Sequence, residues 1–175
     1  GAWGIASCFS FHPRKVITTG EGGAVVTNDG KLADRLRALR AHGFAMQPGP
    51  PDLIAKGLNY RMTEMQAALG ISQMGKLSAI LQQRQVLAKL MHNYLEGIAW
   101  FKRPMVPTHL TANWQSYVGV LTSGVDRAKI ISGLANQGIE ARPGATAIHL
   151  LKPYRPLSVS GDDDCPVSVM LDAKT

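Results

Sequence analysis

Ser10-Phe11-His12-Pro13-Arg14-Lys15-Val16-Ile17-Thr18-Thr19-Gly20-Glu21-Gly22-Gly23-Ala24-Val25-Val26-Thr27-Asn28-Asp29 sets one lysine between short apolar runs and follows it with three glycines. Glycine opens backbone conformations closed to other residues, so residues 20–23 read as a turn. Cys8, Phe9 and Phe11 make an apolar lead-in, and Pro13 restricts His12 to an extended or turn conformation. Lys15 is then expected on a turn that closes into Val16-Ile17, before Ala24 to Thr27 forms a short strand. The pattern is strand, lysine turn, strand.

Two roles suit such a lysine. Its stem can cover apolar surface while its head reaches water. Alternatively, an amine partly withdrawn from water is more readily neutral, and the neutral amine attacks a carbonyl to form a Schiff base. Spacing alone leaves both open. A phosphate-cradling loop is excluded, because that motif needs its glycines before the lysine and a Ser or Thr directly after it.

Downstream, the period becomes helical. Leu32, Leu36 and Leu39 fall on one face, Lys31, Asp34, Arg35, Arg37 and Arg40 on the other, Asp29 caps the start, and Gly43 ends the run. Gln47 to Asp52 holds three prolines and reads as a loop delivering the chain to Asn59, Tyr60 and Arg61. Thr63-Glu64-Met65-Gln66 is a capping-box pattern opening a long helix. Its apolar positions include Leu69, Met74, Leu77, Ile80, Leu87, Leu90, Met91 and Tyr94, Gln82 to Gln85 mark its wet side, and Gly70 and Gly75 bend it or admit a neighbour. Beyond Gly97, Pro104 and Pro107 mark a connector. Trp114 to Thr122 reads as a strand, Asp126 caps a helix over 127–137 that stops at Gly138, and Ile139 to Ala141 reads as a second strand. Ser158 to Asp164 reads as a polar surface loop. Trp3 and Ile5 look like core side chains with no element before them to form that core.

The chain has 175 residues, 45% apolar and 18% charged, an ordinary balance for a globular protein. No apolar run reaches membrane-spanning length and no basic-then-apolar signal opens the chain, so a cytoplasmic location is expected, with no membrane partner. Cys8 and Cys165 lack metal-ligand spacing and read as reduced, structural thiols; the histidines form no metal pattern either. The net charge of +7 favours phosphate-bearing partners. No stacking aromatics accompany the densest cations, Arg35, Arg37 and Arg40, so they read as a solvated helix face and not as a nucleic-acid groove.

The segment from Ser10 to Asp29 resembles the cofactor-lysine segment of the DegT-type sugar aminotransferases, which are fold-type I pyridoxal-phosphate enzymes. Two more runs resemble the same family in the same order, Gly57-Leu58-Asn59-Tyr60-Arg61-Met62-Thr63-Glu64-Met65-Gln66-Ala67-Ala68-Leu69-Gly70 and Gly138-Ile139-Glu140-Ala141-Arg142-Pro143 leading to His149. The resemblance implies an α/β chain: residues 1–75 as the C-terminal part of the large mixed-sheet cofactor domain, and residues 76–175 as a long linking helix with a small α/β domain. It implies Lys15 as the Schiff-base lysine and acid/base for pyridoxal 5'-phosphate (pyridoxamine 5'-phosphate in the half-reaction), with Ser10 on the cofactor phosphate and Asn59 reaching the phosphate of a neighbouring subunit. Arg61, His149 and His12 are the implied substrate contacts. A nucleotide-linked keto sugar is the implied acceptor, glutamate or glutamine the implied donor, and a homodimer the implied assembly. Relatives that dehydrate sugars carry histidine in place of this lysine, so Lys15 implies transamination.

In the family, the acid on the pyridine nitrogen, the aromatic residue stacked on the ring and a phosphate-binding loop all precede the lysine. Only 14 residues precede Lys15. The chain is therefore expected to be part of a longer enzyme and not to form a working site alone. Two other classes remain, a non-catalytic basic nucleic-acid-binding domain and a truncated scaffold that dimerises through the helix from Thr63.

Overall fold

The computed structural model describes residues 3–45, 49–155 and 165–175, which form two compact units, residues 1–83 and 84–175. The expected loop at Ser158 to Asp164, and Gln47 and Pro48 of the proline segment, lie outside the described residues.

In the first unit, β1 (Ser7–Ser10) pairs antiparallel with β2 (Gly23–Val26), with Ser7 opposite Val26 and Ser10 opposite Gly23. The ladder runs one step past β1, where the Phe11 N–H donates to the Gly22 carbonyl at 2.9 Å. Val16 and Ile17 form a bend and no strand, because their segment bulges out of the ladder between Phe11 and Gly22. The helix α1 (Gly30–Arg40) is capped by the Asp29 carboxylate, which accepts from the Leu32 N–H. It ends where the Gly43 N–H donates back to the Ala38 carbonyl at 2.8 Å, with Gly43 at φ +86° and Ala38 fully buried. Arg35, Arg37 and Arg40 lie on its exposed side, and Arg37 pairs with Asp34 at 2.8 Å.

Gly43 also lets two chain segments cross backbone on backbone. A Cβ there would lie 1.8 Å from the Ala55 carbonyl oxygen, and one at Gly57 would lie 2.1 Å from the Gly43 nitrogen. Through this crossing, residues 57–61 run beside the end of α1 as a strap: the Leu58 N–H donates to the Leu39 carbonyl and the Tyr60 N–H to the Arg40 carbonyl.

The helix α2 (Glu64–Tyr94) opens on the expected capping box, with the Gln66 N–H donating to Thr63 Oγ1 at 3.3 Å and the Thr63 N–H to Gln66 Oε1 at 3.0 Å. Its less exposed stripe in the first unit is Gln66, Gly70, Gln73 and Leu77, spaced three and four residues apart. The apolar residues Leu69 and Met74 are exposed, as are Leu87, Leu90, Met91 and Tyr94 further along. Trp3 and Ile5 are exposed too, at 102% and 74%, so neither is a core residue here.

In the second unit, β3 (Phe101–Lys102) pairs antiparallel with β4 (Val120–Leu121). Gly119 is required beside this pair, since a Cβ there would lie 2.1 Å from the Phe101 ring. The expected strand from Trp114 shrinks to these two β4 residues. Trp114 has φ +49°, which breaks extended backbone, and the surrounding carbonyls are occupied by side chains of α2. Arg84 donates to the carbonyls of Trp114 and Gln115, and Gln85 to that of Ala112, so part of the expected wet side of the helix is engaged. The helix α3 (Arg127–Asn136) is capped by Asp126 and followed by Gly138 at φ +75°. Ile139 to Ala141 is no strand; among the described residues no neighbour offers it a ladder, and Glu140 and Arg142 form an ion pair. The helix α4 (Pro166–Lys174) opens with proline in its first turn. Cys8 and Cys165 are free as expected but exposed, so neither is a packed structural thiol.

Candidate functional site

The loop between β1 and β2 carries Lys15, and His12 organises it locally. The His12 N–H points at Ser10 Oγ at 3.4 Å, its carbonyl accepts from the Lys15 N–H at 2.9 Å, and its Nδ1 accepts from the Arg14 N–H at 3.1 Å. A ring nitrogen that accepts has no proton, which puts the neutral ring's proton on Nε2, the atom facing Glu21 Oε1 at 3.8 Å. Ser10, the last residue of β1, thus stands beside the turn that follows His12 and carries Lys15, with Lys15 and His12 half-buried and Ser10 exposed.

The neck of the loop is closed by threonines. The Phe11 carbonyl accepts from Thr18 Oγ1 at 2.8 Å and from the Thr19 N–H at 3.0 Å. Thr19, 4% exposed, is the buried polar residue of the described chain, and its hydroxyl donates to the Glu21 carbonyl at 2.7 Å. Gly22 is demanded here, since a Cβ would lie 2.5 Å from Thr19 Oγ1 and 2.9 Å from the Met62 methyl. Gly20 takes φ +82°, a backbone conformation that glycine adopts without strain.

Asn59 and Arg61 sit on the strap. The Arg61 Nε–H donates to Asn59 Oδ1 at 3.2 Å, and one of its terminal nitrogens lies 3.4 Å from His42 Nε2. Asn59 forms a bridge with Ala41, which fixes its backbone, and both side chains are exposed. The strap leads straight into Met62, whose methyl rests against Gly22 at the lysine loop. His149 belongs to the second unit, on the 3₁₀ turn Ile148–Leu150, and its Nε2 is buried with no hydrogen-bond partner among the described residues. The structure therefore groups three of the expected residues on the lysine loop and two on the strap, with the sixth in the other unit. The residues that hold the loop, Thr18, Thr19, Gln66 and Gln73, escaped the sequence reading; the capping box flagged Gln66, but only for its helix.

Among the described residues, no cluster of His, Cys, Asp or Glu could hold a metal. The donor set instead suits an aldehyde-bearing phosphate: one amine on a pinned loop, and a serine hydroxyl that accepts from its neighbour and keeps its own proton to donate.

The profile of the DegT/DnrJ/EryC1/StrS aminotransferase family matches residues 1–174. The chain belongs to this family. It is 34% identical over 166 residues to the GDP-perosamine synthase of Caulobacter vibrioides, covering 90% of this chain and 43% of the synthase. Among solved structures, it superposes on PseC of Helicobacter pylori, an aminotransferase of pseudaminic acid biosynthesis, with a TM-score of 0.85 at 28% identity, covering 97% of this chain and 46% of that one. It also superposes on the Escherichia coli GDP-4-keto-6-deoxy-D-mannose-3-dehydratase with bound hydrated pyridoxal phosphate, with a TM-score of 0.75 at 26% identity, covering 82% of this chain and 41% of that one. The family fold is fold-type I, and the chain spans less than half the length of these relatives. Among the described residues, no helix is long and apolar enough to cross a membrane.

Proposed function

We propose that the protein carrying this chain is a pyridoxal-phosphate-dependent aminotransferase that moves an amino group from glutamate or glutamine to a nucleotide-linked keto sugar. The observation that carries this reading is a half-buried lysine at the tip of a loop cinched at its neck, in a chain of an aminotransferase family. When bound, the cofactor supplies an electron-withdrawing ring that acidifies the carbon next to the transferred nitrogen. Lys15 would be the covalent anchor for the cofactor and the base that moves a proton at that carbon. The Ser10 hydroxyl donates to the cofactor phosphate, and Asn59, held beside α1, reaches the phosphate in a neighbouring subunit.

Arg61 supplies a fork-shaped cation for an anionic group of the substrate, and His12, whose carbonyl accepts from the Lys15 N–H, is assigned a second substrate contact beside that lysine. His149, whose Nε2 has no hydrogen-bond partner among the described residues, is the third substrate contact in this reading. The exposed apolar residues of α2, among them Met65, Ile71 and Met74, support assembly with the rest of the protein and with a second copy. The same reading divides the chain into a cofactor-domain part, 1–75, and a helix with a small domain, 76–175, in a cytoplasmic homodimer.

The test is the visible spectrum of the full-length protein with pyridoxal phosphate. Wild type is expected to show the absorbance of lysine-bound cofactor and Lys15→Ala to lose it. A band that persists unchanged in the variant would contradict the assignment.

A further inference from the structure

One stripe of α2 meets the neck of the lysine loop at three successive points. Gln66 Nε2 donates to the Glu21 carbonyl at 2.9 Å, Gly70 brings the helix against the Thr19 methyl, and Gln73 Oε1 faces the Thr18 N–H at 3.4 Å. The spacing of four and three residues puts all three on one helix face. Thr18 and Thr19 in turn hold the Phe11 carbonyl, so the helix grips the residues that close the loop on which Lys15 rides.

We propose that Gln66, Gly70 and Gln73 are positioning residues that set where the Lys15 amine stands. This inference rests on the cofactor role given to Lys15 above.

Gln66 does two separable jobs. Its Oε1 accepts from the Thr63 N–H and Oγ1, which starts the helix, while its Nε2 pins Glu21. A glutamate at this position would start the helix equally well, since capping boxes use either residue, but it has no hydrogen to give the Glu21 carbonyl. Gln66→Glu therefore removes the pin and leaves the cap. Gly70 makes the complementary case: a Cβ there would lie 3.1 Å from Thr19 Cγ2, tight enough to push the neck, while alanine favours the helix itself. In both variants helix stability and lysine placement part company, which a purely structural role does not allow.

The experiment compares full-length wild type, Gln66→Glu, Gly70→Ala and Lys15→Ala. It reads the melting temperature, the visible cofactor band and its pH midpoint, kcat and KM for the sugar, and the labelling rate of Lys15 relative to Lys31 in cofactor-free protein. Gly70→Ala is expected to melt near wild type and Gln66→Glu slightly lower, for the donor lost to the Glu21 carbonyl; both are expected to shift the pH midpoint and the relative labelling of Lys15, and to lose about tenfold to a hundredfold in kcat with KM nearly unchanged, the scale of a displaced reacting group. Wild-type band, labelling and kcat in both variants would overturn the inference, while loss of the band in Lys15→Ala alone would leave the cofactor role standing. If the band survives Lys15→Ala, the cofactor role itself has failed. Should either variant not fold, the pair Gln73→Leu and Gln73→Glu decides on the same readouts, because only glutamate still accepts from the Thr18 N–H.

Discussion

The lysine loop of the first unit and the Ala112 to Tyr117 segment of the second are each fastened by polar side chains of α2, in different ways. In the first, Gln66 and Gln73 hold the neck, while beyond it the Arg14 and Lys15 N–H groups bond within their own turn, to the His12 ring and carbonyl. In the second, Arg84 and Gln85 take the carbonyls of Ala112, Trp114 and Gln115, and Trp114 stacks on Tyr117 with ring centroids 5.6 Å apart. Tyr117 closes the segment further through His92 Nδ1 at 3.2 Å, and Arg103 beside it is tied to the His92 carbonyl at 2.6 Å. A loop gripped at its base keeps its functional groups available, whereas a segment gripped along its length is scaffold.

Substitutions that separate the two kinds of attachment test this contrast. The largest stability loss is expected from Gly43→Ala, where the added Cβ would meet the Ala55 carbonyl oxygen at 1.8 Å on a backbone with φ +86°. Overpacking and left-handed strain together point to about 3 kcal/mol, read from the denaturation midpoint. Asn59 and Arg61 would move with the strap, while β1 and β2 keep their register. Arg84→Met comes next, at about 2 kcal/mol, because it strips the carbonyls of Trp114 and Gln115 of a charged donor. This variant should leave the cofactor band unchanged. A spectrum altered as much as in Gln66→Glu would erase the distinction between neck and scaffold. Asp29→Ala should cost about 1 kcal/mol by removing the cap of α1, measured in the same way.

The smallest effect is one of pH. Burial raises the Tyr117 hydroxyl above its ordinary value of 10.0, against a smaller opposing pull from the Arg103 charge. The folded protein then keeps this proton in a window above pH 10 where the unfolded chain has lost it, so stability falls as pH rises through that window. Tyr117→Phe should remove that share of the alkaline loss while costing about 1 kcal/mol near neutrality for the bond to His92. An identical alkaline slope in the variant would show that this hydroxyl is not held away from water.

Much of this was legible before any coordinates. Asp29, Asp126, the Thr63–Gln66 box and the glycines at 43 and 138 act within a few residues of themselves, so their geometry follows from local chemistry. The strands expected at Trp114 and Ile139 failed for the converse reason. A strand exists only where a neighbour supplies a ladder, and β4 finds one solely opposite Phe101 and Lys102. The lysine turn was legible as a turn, but the grip on its neck was not. Gln66 and Glu21, which it pins, are 45 positions apart in the chain, and nothing local ties them.

The sequence by itself determined the family, the single lysine on a glycine-framed turn, and where each main helix starts and stops, because each of these is written in residues that are neighbours along the chain. Only the tertiary structure decided that a small and polar stripe of α2, and not its apolar residues, faces the lysine loop. It also decided that His149 keeps a buried nitrogen with no partner among the described residues. Those outcomes depend on which surfaces meet across distance, and hydrophobic period alone cannot say whether a helix face is covered by apolar packing or by hydrogen bonds to a distant backbone.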